Sequence, residues 1–215
     1  RGMRGAALPQ VSEATRERIG SIFWPDSSTL TMQRGFHNAK FTIRTVIGLP
    51  PFLYFNGIYT LNPDVQYWYD VQEFEKLIEE SPQLPPERAL ENLSNAAALY
   101  TNDFLEGSGL DWAENTRQRL RARYLKCCLD MGQIAVSLNI NNAEVINPLE
   151  RAFQMEPLRE DIARSYMRLL LLAGKKGEAI ETYRHLSAAL RRELNVRPDE
   201  ETETLYRSIL SEGRQ

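Results

Sequence analysis

Arg34, Lys40 and Arg44 fall within a stretch, Ser27 to Pro63, that holds no Asp or Glu. Guanidinium and ammonium groups bind phosphate oxygens through charge and directed N–H bonds, so cations unopposed by carboxylates suit a polyanion. Interleaved with them are Gln33, His37, Asn38 and Thr45, polar side chains of the types that bind phosphates and base edges. Phe41 adds an apolar surface that suits a thymine methyl or a sugar, or equally the covering of a partner segment. The whole chain of 215 residues has a formal net charge of -3, so this positive charge is concentrated against the overall balance. Residues 1 to 63 carry seven Arg or Lys against three acidic residues, a net +4 that leaves -7 for the remainder. A basic head on an acidic body fits one module for nucleic acid and another for protein.

Other chemistries find little footing. There is no Gly-rich phosphate loop, no nucleophile elbow and no Cys–His pairing, which argues against an enzyme and against a bound cofactor. His37 and His185 are the only histidines, and no metal-ligand spacing exists. Cys127 and Cys128 are adjacent on a helical pattern, where a disulfide between them is badly strained, and they read as reduced core-filling residues. No apolar run approaches the ~20 residues of a membrane-spanning helix and no signal-peptide pattern opens the chain, so a cytoplasmic protein with no membrane partner is expected. The series Arg117, Arg119, Arg121, Arg123 reads first as a solvated helix face, with a second DNA surface as its alternative, and the pair Lys175-Lys176 reads as solvated turn.

The elements that must hold the basic residues follow from spacing. Between Thr31 and Ile47, Phe36, Ala39, Ile43, Val46 and Ile47 recur at helical intervals, and Gly48 with Pro50-Pro51 ends the run. At about 100° per residue the opposite face carries Arg34, Asn38, Phe41 and Thr45, flanked by His37 and Arg44. Phe52 to Phe55 and Ile58 to Leu61 are strand-like runs around Asn56-Gly57, two residues that tolerate positive φ, so a tight hairpin is expected. Upstream, a short helix capped by Ser12 and broken at Pro25 to Ser28 supplies the partner helix. Two helices and a hairpin in this order make a winged helix-turn-helix; a solvated helix packed on a hairpin in some other α+β domain is the plainer alternative.

Beyond a boundary near Asp64 the chain reads as helix throughout. Asp70 with Glu73 forms a capping-box pattern before Val71, Phe74, Leu77 and Ile78. Pro85-Pro86 opens a helix with Ala89, Leu90, Leu93, Ala96, Ala97 and Tyr100 on one stripe. Asp111 caps a longer one reaching about Leu138, and four more follow to Ser211. A shift of 34 residues sets Val145 on Ala179, Leu149 on Tyr183 and Ala152 on Leu186, the tetratricopeptide (TPR) period; a non-repetitive bundle shares some of this pattern. The expected fold is therefore mainly α: a winged helix-turn-helix domain over 1–63 and a TPR-like helical domain over 64–215.

The run Leu99-Tyr100-Thr-Asn-Asp103-Phe-Leu-Glu-Gly107, then Trp112, then Glu156-Pro-Leu-Arg159-Glu160, then Leu190-Arg-Arg-Glu-Leu194-Asn-Val-Arg-Pro198 resembles the bacterial transcriptional activator domain of SARP-type regulators. The resemblance extends upstream to an OmpR-like winged helix, with Phe23-Trp24-Pro25-Asp26 matching the end of its positioning helix. Phe36 to Gly48 is similar to its recognition helix, Gly57 to Leu61 to its wing, and Tyr67 to Val71 to its interdomain joint. Such winged helices begin with a small sheet and a first helix, and the segment before Ser12 is too short for them. Either part of the natural N-terminus is missing, or the DNA-binding half is degenerate.

The resemblance implies a sequence-specific DNA-binding transcriptional regulator. Gln33, Arg34, His37, Asn38, Phe41, Arg44 and Thr45 are its expected contacts on the helix, with Asn56 and Gly57 at the wing tip. Arg34 and Arg44 are suited to phosphate or guanine and Asn38 to an adenine edge. The helical domain is expected to mediate dimerisation or contact with RNA polymerase. The alternative is a TPR-type protein-binding scaffold with a vestigial winged helix.

Overall fold

The computed structural model describes residues 13–66, 68–107, 109 and 111–211, the side chain of Asp111 excepted. The chain forms two compact units that part between Tyr69 and Asp70, a few residues about Trp112 being counted with the first. Among the described residues it is mainly helical, with one small antiparallel sheet. No described helix is long and apolar enough to cross a membrane.

The first unit runs β1 (Glu13–Thr15), α1 (Arg16–Phe23), α2 (Thr29–Ile47), β2 (Phe52–Phe55) and β3 (Ile58–Leu61). The hairpin forms where Asn-Gly predicts it, with Asn56 at φ 48° and Gly57 at φ 84°. Its strands pair Phe52 with Leu61 through Phe55 with Ile58. β1 lies on the other side of β3, pairing Ala14 with Tyr59, so the strand order is β1-β3-β2. That third strand corrects the expected helix from Ser12. Residues 13–15 satisfy the open edge of β3, and Thr15 takes the capping role, its Oγ1 accepting from the Arg18 amide at 3.2 Å. Ser12, Tyr67 and the side chain of Asp111, expected at a cap, an interdomain joint and a cap, lie outside the described residues.

Tyr59 fastens the sheet to α2. Its ring meets Phe36 edge-on at 4.9 Å between centroids and Tyr54 at 4.7 Å. Close backbone approach lets α1 and α2 pack: Met32 lies over Gly20, and Trp24 against Gly35. The apolar stripe of α2 is buried only at Met32 and Phe36. Ile43, Val46 and Ile47, expected in the core, are exposed, Val46 by 82%. Among the described residues, the unit has only one short helix and a three-stranded sheet to pack on α2, so the last turns of its stripe are left uncovered.

The second unit contains α3 (Asp70–Glu80), a 3₁₀ turn (Ser81–Gln83), α4 (Pro86–Leu99), α5 (Asp111–Ser137), α6 (Ala143–Met155), α7 (Glu160–Leu172), α8 (Lys176–Glu193) and α9 (Glu200–Ser211). Asp70, at the start of α3, accepts from the next amide, Val71, at 2.8 Å. The α4 stripe from Ala89 to Tyr100 is buried throughout, and Cys127 and Cys128 are buried free thiols, pushed above the ordinary thiol range by burial. The positions equated by the 34-residue shift behave alike: Val145, Leu149, Ala152, Ala179 and Leu186 are buried, and Tyr183 is half-buried. That shared burial is compatible with a repeat in which α6 and α8 correspond, and equally with a bundle whose helices bury one face each.

Polar side chains close the gaps between these helices. Tyr100 and Tyr124 stack at 4.4 Å, and the Arg151 guanidinium lies 5.6 Å and 5.5 Å from their ring centres. Arg151 also donates to the Tyr100 and Thr101 carbonyls just past the end of α4, each at 2.5 Å. Tyr100 donates to Asp103 at 2.6 Å, and Arg121 joins Asp103 to Glu156. The Tyr100, Asp103 and Glu156 of the family-like motifs therefore have structural work in this fold.

Candidate nucleic-acid interface

α2 begins at Ser28, whose hydroxyl accepts from the Thr31 amide at 3.3 Å, and ends at Gly48 in the left-handed region, φ 79°. Between these caps its buried side is fixed by Met32 and Phe36, and the opposite side is directed outward. Arg34, His37, Asn38, Phe41, Arg44 and Thr45 are all exposed, Phe41 by 71%, and Gln33 is half-buried. Asn56 and Gly57 are exposed at the turn between β2 and β3.

The structure gathers part of this set. His37, Asn38, Phe41 and Arg44 line a groove of about 470 Å³, together with Lys40 and the connecting segment Pro50-Pro51-Phe52. Gln33, Arg34, Thr45, Asn56 and Gly57 lie outside that groove. Arg34 and Thr45 share the outward face with Asn38 and Phe41, one and two turns away. Thr45 donates its hydroxyl to the Phe41 carbonyl at 2.9 Å, so its proton is already engaged.

Electrostatics separate this surface from the other basic stretch. Among the described residues, Arg34, Lys40 and Arg44 form no ion pair. The α5 arginines are each neutralised: Arg117 by Glu114, Arg119 by Glu75, Arg121 by Asp103 and Glu156, and Arg123 by Glu75 and Glu79. Lys175 pairs with Glu178. Uncompensated cations on and beside one groove create a positive potential, whereas the α5 series is neutralised by carboxylates of α3, of α5 itself and of neighbouring loops.

Two supporting residues were absent from the expected contacts. Lys40 counts toward the basic stretch but sits on the inner flank of the wheel, where a core-facing role would remove it. Its Nζ lies 5.6 Å from the centre of the Tyr59 ring, so the aliphatic stem packs on the sheet while the ammonium reaches the groove. Asn62 is buried at the exit of the hairpin. It donates from Nδ2 to the Pro50 carbonyl at 2.8 Å and from its amide to the Pro51 carbonyl at 3.0 Å, tying the wing to the segment that forms the groove wall. An Asn before Pro reads only as turn punctuation in the sequence.

The bacterial transcriptional activator domain family matches residues 69–210. The fold is similar to that of Mycobacterium tuberculosis EmbR, a structure solved in complex with a low-affinity phosphopeptide, with a TM-score of 0.63 at 16% identity. That similarity covers 93% of this chain and 55% of EmbR, so the chain spans about half the length of that protein. No curated protein matches the chain in sequence.

Proposed function

From the premise that this chain belongs to the bacterial transcriptional activator domain family, we propose that it is a DNA-binding regulator that docks α2 in the major groove. The family is one of transcriptional activators, not of enzymes. The observation that carries the proposal is exposed Arg34 and Arg44 with half-buried Lys40 on α2, none ion-paired among the described residues, beside exposed Asn38 and Phe41, while the α5 arginines are each held by carboxylates. Arg34 and Asn38 meet base edges, Arg34 as a bidentate donor to guanine and Asn38 to adenine. Phe41 meets a thymine methyl, and His37, Lys40 and Arg44 hold a phosphate in the groove against Pro50 to Phe52. The Asn56-Gly57 turn lies along the backbone beside the minor groove.

The helical unit contacts RNA polymerase or a second copy of the chain. Its net acidity and stacked helix pairs suit a protein surface better than a second DNA surface, since the α5 arginines are already neutralised. Selection of bound sequences from a random DNA pool tests the DNA half of the proposal. A recurring motif is the expected result, with an inverted or direct repeat if the chain binds as a dimer; failure to enrich any sequence at low salt removes it.

A further inference from the structure

A cleft between α4 and α6 in the second unit is left unused by the reading above. Leu90, Ala98, Val145 and Pro148 contribute apolar surface to it, and its volume is about 480 Å³, room for a few side chains rather than a folded domain. Glu87 and Glu91 of α4 and Glu144 of α6 border it, and among the described residues no Lys or Arg does. Glu87 and Glu144 lie in first helical turns, where the helix dipole alone favours a carboxylate. Glu91 is a turn further along and gains nothing from that.

None of the three carboxylates is ion-paired among the described residues, whereas Glu75 and Glu79 of α3 and Glu201 of α9 are each held by arginine. Asn142 lines the same cleft from the cap position of α6, and its side chain makes no capping hydrogen bond. An apolar floor with two carboxylates one turn apart on one wall and a third on the other is complementary to cations flanking aliphatic side chains. We infer that the α4–α6 cleft docks a short segment of a partner protein in which lysine or arginine flanks leucine-like residues. The inference rests on the reading of the helical unit as a protein-contact surface and specifies the chemistry of that contact.

The test uses the full chain and a fluorescent twelve-residue peptide of lysine and leucine in amphipathic order, with glutamate replacing lysine in the control peptide. The lysine peptide is expected to bind at least about tenfold tighter than the control, and to weaken as salt rises. The triple variant Glu87→Gln, Glu91→Gln, Glu144→Gln is expected to lose about tenfold or more for the lysine peptide, as is Ala98→Arg, which fills the cleft and adds a cation. Glu178→Gln with Glu181→Gln, on α8, should change binding less than about twofold. Circular dichroism verifies that each variant is folded.

Equal binding of the two peptides, or unchanged binding by both cleft variants, overturns the inference. Capture of purified RNA polymerase by the same proteins separates it from the broader reading. Polymerase captured equally by wild type and both cleft variants removes the cleft alone. A cleft that discriminates the peptides while wild type captures no polymerase supports the cleft and removes the polymerase contact.

Discussion

Arg34 and Arg119 have the same side chain in different electrostatic settings. Arg34 projects from α2 with no carboxylate partner among the described residues, and Arg119 is held by Glu75. Charge already neutralised within the fold has little left to offer a phosphate, so the two substitutions should differ. Arg34→Ala should cost about 1–3 kcal/mol of DNA affinity and relax preference at one base position, measured on a panel of single-base variants of the selected site. Lys40→Ala should weaken every sequence about equally and lower the slope of log affinity against log salt by about 1. Arg119→Ala should leave both readouts unchanged within about 0.5 kcal/mol, because a partly exposed ion pair on another unit is all it removes. Gel shifts at several salt concentrations check all three.

At the scale of elements, close packing sets what can be changed. A Cβ built on Gly35 of α2 would stand 2.8 Å from the Trp24 ring, and a rigid indole cannot give way as a flexible chain would. Gly35→Ala should therefore destabilise the first unit by about 1–3 kcal/mol, read as earlier loss of tryptophan signal in urea, with DNA binding lost in parallel. Gly132 of α5 is similarly crowded by Leu149 of α6 and Ser165 of α7, and Gly132→Ala should cost the second unit about as much. The helices of that unit were legible because their apolar stripes match what they bury, as the α4 stripe from Ala89 to Tyr100 does. The hairpin was legible because Asn56-Gly57 has few other uses. β1 was not, since three residues carry no readable alternation and only the edge of β3 makes a strand of them. The exposed ends of the α2 stripe were not either: periodicity marks a face as apolar and says nothing of whether anything covers it. Of the candidate site, residue types and the outward face were readable, while the groove depends on Asn62 and Tyr59, which act across the fold.

For the molecule as a whole, pH and salt act on different features. In the helical unit Asp199 accepts from the Thr202 amide at 2.7 Å, and Arg164 pairs with it at 2.7 Å. Partial desolvation opposes ionisation, but the Thr202 hydrogen bonds and the Arg164 guanidinium together hold the carboxyl at about 2. An unfolded Asp titrates near ~3.9, so its contribution is fully present above that pH and lost as pH falls toward ~2. The gap in Tm between wild type and Asp199→Asn should therefore be widest above about pH 5 and close by about pH 2, a modest effect for a side chain this exposed, followed by thermal melts across that range. The basic side of α2 responds to salt instead, and the regulator reading turns on whether that response belongs to duplex DNA. The most direct test measures the affinity of the full chain for its selected duplex over a range of salt, for wild type and for Arg34→Ala, Lys40→Ala, Arg44→Ala together. A steep salt dependence that the triple variant flattens by about 2 to 3 in slope, with at least about a hundredfold loss of affinity at low salt, is the predicted result. Equal affinity and equal slope for both proteins would contradict it.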